Sequence, residues 1–188
     1  MAKKLGQAIP YGVDDVTNTE GWVSVGIKHA TAEFAVATIW RWWQQMGVLV
    51  SPTADAWLMI AAGGGRNGSR TRLWKRQLQQ LAEETGLHIS VCHFPPGTSK
   101  WHKIDHRMFA HITQNWRGRP LLTHEVIVNL IGSTATRTGL RIQAALDTKT
   151  DQTGIKVTPQ EMEEINLTRG EFHGAWNYQL APSEKISK

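Results

Sequence analysis

Two loops hold most of the residues whose types and spacing suggest chemistry. The first is Gly63-Gly64-Gly65-Arg66-Asn67-Gly68-Ser69-Arg70, at the end of the apolar run Trp57 to Ala62. The second runs from Phe94-Pro95-Pro96-Gly97 through Lys100-Trp101-His102-Lys103-Ile104-Asp105-His106-Arg107. Gly63 to Gly68 satisfies G-x-G-x-x-G, which between a strand and a helix can cradle a dinucleotide. The next strand ends at His93-Phe94, where a ribose-binding carboxylate is wanted, so no nucleotide cofactor is expected. A phosphate loop fails too, because Ser69 stands where that motif needs lysine. His102 and His106 lie one helical turn apart and suit zinc by spacing. The acid between them is Asp105 rather than glutamate, and no obvious third ligand follows. As ordinary side chains, His102, His106 and His111 are partly exposed helix histidines. The single thiol, Cys92, reads as a buried strand residue and fits a reducing compartment.

The charges frame these loops. Lys and Arg number 21 against 16 Asp and Glu, a formal net of +5 that permits a polyanionic partner. The surplus gathers at Arg66, Arg70, Arg72, Lys75 and Arg76 after the glycines, and at Lys100, Lys103 and Arg107 in the second loop. Two basic loops can border one groove; solvated helix faces are the plain alternative. Nine tryptophans are expected mainly to pack. No signal-peptide pattern and no apolar stretch of about 20 residues occurs, so a soluble, cytoplasmic chain without a membrane partner is expected.

The elements that must position the loops follow from periodicity. Ile9 to Val16 and Gly21 to Ile27 read as a hairpin. From Thr31, the stripe Ala32, Ala35, Val36, Ile39, Trp43, Met46 predicts an amphipathic helix ended by Gly47. Trp57 to Ala62 predicts a buried strand, Ser69 to Glu84 a helix stopped by Gly86, and His88 to Phe94 another strand. Pro95-Pro96-Gly97 forces an extended loop. After Ser99, the stripe Ile104, Met108, Ile112, Trp116 predicts a helix closed by Gly118-Arg119-Pro120. A further helix is expected from Thr123 to about Thr134, and a short one at Thr158-Pro159 with Glu161 at capping-box spacing. The order is α/β, a mixed sheet with helices on its faces.

The two loops are matched in order by Tyr11-Gly12-Val13, His29, Thr31, Phe34-Ala35-Val36 and Arg41-Trp42-Trp43. Further on stand Ile112-Thr113-Gln114-Asn115-Trp116-Arg117-Gly118-Arg119-Pro120-Leu121, Thr136-Arg137-Thr138-Gly139-Leu140 and Glu171-Phe172-His173-Gly174-Ala175-Trp176-Asn177-Tyr178. Together they resemble the Rhodopirellula-type transposase DDE domain of bacterial insertion sequences, over nearly the whole chain. The resemblance implies a ribonuclease-H-like fold, a mixed sheet flanked by helices. It also implies a metal-dependent transesterase that nicks DNA at element ends and joins the freed 3′ hydroxyl to target DNA. Three carboxylates would hold a pair of Mg²⁺ or Mn²⁺ ions, because hard cations take oxygen ligands and must sit about 4 Å apart across the reacting phosphate.

This sequence departs from that pattern where it matters. The family's first acid lies on a strand upstream of Tyr11, before the part this sequence covers. The second acid falls at Ala62, and the third, usually glutamate, at Asp105. Lys28 and Ala30 stand where the family tends to show Asp, and Asp14 where it tends to show Tyr. Residues 1–181 are therefore expected to form one transposase domain lacking its first strand, with 182–188 a frayed tail. Asp105 alone would bind metal weakly, and Asp14 and Asp15 are the conceivable substitutes. DNA contacts are expected from Arg66, Asn67, Arg70, Lys100, Trp101, Lys103, His106 and Arg107. Catalysis is expected to be impaired. The alternative is a non-catalytic module that docks on DNA or on an intact transposase. A sheet without its first strand would carry an unpaired interior edge.

Overall fold

A computed structural model describes residues 6–95 and 97–183. The expected tail from 184 onward, the lysine-bearing start before Gly6 and the second proline of the Pro95-Pro96 pair lie outside the described residues.

The opening hairpin forms from β1 (Ile9–Asp15) and β2 (Glu20–Gly26), antiparallel from Ile9 opposite Gly26 to Asp15 opposite Glu20. Asp15 closes the turn by accepting the Thr17 and Asn18 amides at 3.0 Å, the side-chain mimicry that favours Asp in turns. α1 (Ala32–Trp42) starts where the Thr31 hydroxyl accepts the Phe34 amide at 3.0 Å. Its stripe of Ala32, Ala35, Val36 and Ile39 is buried. The helix does not end at Gly47. It widens into a π turn over Trp43–Gly47 and continues as α2 (Val48–Val50). Gly47 is helical, with φ −59°, and is required by packing instead: a Cβ there would meet the Trp43 ring.

β3 (Ala56–Ala61) leads through a short turn at Gly65–Asn67 to α3 (Arg72–Thr85), which starts three residues later than the expected Ser69. Gly86 ends α3 in the left-handed region at φ 73°, where only glycine is unstrained. β4 (His88–His93) follows. The next segment is not one regular helix. It is a tight turn at Ser99–Trp101, a π turn at Asp105–Phe109 and then α4 (Ala110–Trp116). The stripe explains why: steps of four residues overshoot an α-helical turn by about 40° each, and the wider turn returns Met108 and Ile112 to the core, where both are buried. α5 (His124–Gly132), β5 (Arg141–Asp147), α6 (Pro159–Glu163), β6 (Leu167–Arg169) and β7 (Asn177–Leu180) complete the chain. The capping box at Thr158 and Glu161 is formed in both directions.

The chain is α/β with mixed sheets flanked by helices, as a ribonuclease-H-like domain requires, but the strands fall into two sheets rather than one. The first has the order β1-β2-β5, with β5 parallel to β2; the second has the order β3-β4-β7-β6, with only β3 and β4 parallel. One apolar cluster joins α1 and α3 to β4 and β7, and Tyr11 and Val13 of β1 pack on it together with Trp57 and Met59 of β3. α1 therefore lies across both half-sheets. A second cluster sets Val23 and Val25 of β2 against Met108, Ile112, Ile127 and Ile131 on the other face.

β1 and β3 thus each have one paired edge among the described residues. β3 is not the buried strand its sequence suggests: Leu58 is 70% and Ile60 60% exposed, because helices cover only the face bearing Trp57 and Met59. Among the described residues, the buried side-chain polar atoms without a hydrogen-bond partner are Asp14 Oδ1, Trp42 Nε1 and Trp57 Nε1. They sit on β1, on α1 and on β3, the elements around the break. Among the described residues no helix is long and apolar enough to cross a membrane.

Candidate active site and nucleic-acid interface

The glycine loop and the second loop meet at the ends of β3 and β4. The Phe94 amide donates to the Ala61 carbonyl at 2.9 Å, and the Phe94 ring lies 5.0 Å from that of His102. Gly63 permits this approach, since a Cβ there would collide with the Phe94 carbonyl oxygen. His102 in turn faces Asp105, Nδ1 to Oδ2 at 3.5 Å. Ala62 and Asp105 are therefore linked through Phe94 and His102.

A buried polar chain supports Ala62 from below. The Trp74 indole donates to the Tyr178 hydroxyl at 3.0 Å, that hydroxyl lies 2.9 Å from His93 Nε2, and His93 Nδ1 lies 3.1 Å from the Ala62 carbonyl. Burial holds the His93 pKa below its usual value, against the opposing pull of the Ala62 carbonyl. An unfolded chain takes up a proton on this ring below about pH 6.5 while the folded chain resists it. Stability from His93 is thus complete above that pH and lost as pH falls. Between pH 7.5 and 5.5 the thermal midpoint is expected to drop further for the unaltered chain than for His93→Gln; equal drops would show that His93 is not the group responsible. Sequence reasoning passed over His93 and Tyr178 because neither belongs to a recognisable catalytic spacing.

The basic residues divide between the loops. Arg66 and Asn67 turn toward β1, where burial raises the Tyr11 hydroxyl to about 12 while the Arg66 charge and a hydrogen bond from Asn67 oppose the rise. Arg107 Nε donates to Asp14 Oδ2 at 3.1 Å. Asp14 is 4% exposed; burial pushes its carboxyl upward, and Arg107, then Lys103, offset that only in part. Lys100, Trp101, Lys103 and His106 are exposed, as is Arg70, while the His106 Nε2 lies 3.1 Å from the Lys100 carbonyl.

These residues do not fit a two-ion centre. Ala62, which the resemblance sets at an acid position, offers only a methyl group. Asp105 is 51% exposed and turned to His102. Asp14, weighed above as a substitute ligand, gives Oδ2 to Arg107 and holds only a buried Oδ1 without a partner, and Asp15 is engaged in its own turn. Among the described residues no three His, Cys, Asp or Glu side chains gather as a metal site. Mg²⁺ gives up its water shell reluctantly and needs more carboxylate than this.

A model of the family described as Rhodopirellula transposase DDE domain matches residues 1–182. The chain belongs to that family. Neither a curated protein nor a solved structure is similar enough to this chain to count as a match. Membership makes this a transposase-type domain, and family members act on DNA, in general with divalent metal. In this DDE domain Ala62 and Asp105, the positions that the resemblance assigns to the second and third acids, lie where the two loops meet.

Proposed function

We propose that this DDE domain binds DNA but is impaired in strand cleavage and transfer. The observation that supports this most is the pairing of Ala62 with a solvent-turned Asp105 where the family needs two ion ligands. In this reading Asp105 keeps a weak affinity for a single cation, and Arg66, Asn67, Arg70, Lys100, Trp101, Lys103, His106 and Arg107 line the DNA path. In the same reading the unpaired edges of β1 and β3 are where the family's first strand, with its first acid, would pair. A nicking and joining assay on element-end DNA with Mg²⁺ or Mn²⁺ is expected to give no product above background. Clear metal-dependent product would refute the impairment.

The second reading, a non-catalytic module docking on DNA or on an intact transposase, is favoured by the unpaired β1 and β3 edges, which suit a partner chain. The two readings share DNA binding that is carried by phosphate contacts, so affinity should fall steeply with salt. A flat response between low and physiological salt would remove the basic loops from both.

A further inference from the structure

The basic surplus has a second concentration that shares only Arg70 with the two loops. Arg70 and Arg72 at the start of α3, Lys75 one turn later and Arg169 at the end of β6 line an open cleft of about 470 Å³ together with Met162 and Trp176. No carboxylate lines it. Glu161, next to Met162 in the chain, is already engaged: it pairs with Arg76 at 3.0 Å and closes the capping box with Thr158.

Lys75 is half-buried, its ammonium 5.1 Å from the centroid of the Tyr178 ring. Burial first, and then the charge of Arg169, hold its pKa below the usual lysine value. Two cations close enough to disfavour one another, with no anion between them, form an arrangement that a bound anion relieves. Arg72 is positioned by donating from Nη1 to the Val157 carbonyl at 3.2 Å. Trp176 is stacked on His173, rings 5.3 Å apart and inclined by 26°, and its amide closes the turn onto the His173 carbonyl at 2.8 Å. An indole held beside arginines suits a phosphate that carries a base or sugar. The α3 terminus adds to the field: its first turn holds no acid, and the Thr71 hydroxyl is turned to the Gly65 carbonyl rather than to the helix amides. The cleft and its four cations carry the inference; the helix end only reinforces it.

We infer that the cleft between α3 and the β6–β7 turn, which the glycine loop reaches only through Ser69 and Arg70, is a phosphate-binding site that takes a phosphodiester of a nucleic-acid strand. Its phosphate chemistry stands alone. The choice of a nucleic-acid strand as the source rests on the DNA binding proposed above.

The test uses the full chain, a fluorescently labelled oligonucleotide read by anisotropy, and inorganic pyrophosphate read by calorimetry. The pair Lys75→Gln and Arg169→Gln is expected to weaken oligonucleotide binding about tenfold at low salt. It should also reduce the slope of log affinity against log salt by about two, since each lost phosphate contact removes about 0.9. Arg169→Gln alone, at an exposed position on an edge strand, guards against misfolding and is expected to give half of that slope change. Pyrophosphate is expected to bind the unaltered chain and not the pair. The loop pair Lys100→Ala and Lys103→Ala is expected to leave pyrophosphate binding intact. Unaltered pyrophosphate and oligonucleotide binding in the cleft variants would overturn the inference, whatever the loop variants do. Pyrophosphate binding that depends on Lys75 and Arg169, with no oligonucleotide bound by any variant, would keep the phosphate site and discard nucleic acid as its source.

Discussion

A seven-residue strand rich in valine and isoleucine, joined ahead of the chain by a flexible linker, is expected to raise the thermal midpoint by about 10 °C. In the proposed reading such a strand pairs with both β1 and β3, each of which has one edge unpaired among the described residues. About ten new backbone hydrogen bonds at about 1 kcal/mol each are set against about 1–2 kcal/mol for every residue ordered, so those terms nearly cancel. The surplus comes from side chains. Three or four that reach the face of Tyr11, Val13, Trp57 and Met59, or the bare face of Leu58 and Ile60, contribute about 1.5–3 kcal/mol apiece. Several kcal/mol in a chain of this length corresponds to that shift. Proline at the centre of the added strand removes a ladder donor and should abolish the gain. Hydrogen exchange at β1 and β3 amides should slow only with the proline-free strand. An unmoved midpoint together with unchanged exchange would show that the half-sheets do not accept a strand.

Trp74→Ala should have an effect as large in the opposite direction. Trp74 is fully buried between α3 and the second sheet and anchors the chain that runs through Tyr178 and His93 to the Ala62 carbonyl. Truncating a buried tryptophan costs about 3–5 kcal/mol, which lowers the midpoint by about 12 °C at this size. Trp74→Phe keeps most of the ring and loses the bond to Tyr178, so about 1–2 kcal/mol is expected from it. Matching melting curves for the two variants would mean that the indole fills no space the core needs.

What the sequence could and could not disclose follows from how local each signal is. The β1–β2 hairpin, the helix start at Thr31, the Gly86 stop and the Thr158 capping box are each contained within a few residues, and all formed. β5 is different: Arg141–Asp147 becomes a strand by pairing in parallel with β2, which lies far back in the chain, and nothing in its own spacing announces that. β6 and β7 are only three and four residues long, too short for a period to show. β3 looked like a buried strand because its residues are apolar on both faces, yet only one face has a cover. For the candidate site the sequence offered Ala62 and Asp105 by family resemblance alone. The cleft of Lys75, Arg169 and Trp176 was not readable, because it joins the start of α3 to the end of the chain.

The bare face of β3 also bears on how this protein lives in a cell. Leu58 and Ile60 sit on an edge that no described strand pairs, and an uncovered edge of this kind is a segment that chaperones and proteases engage. A companion that covers Ala56–Ala61 would then act first on the protein's lifetime.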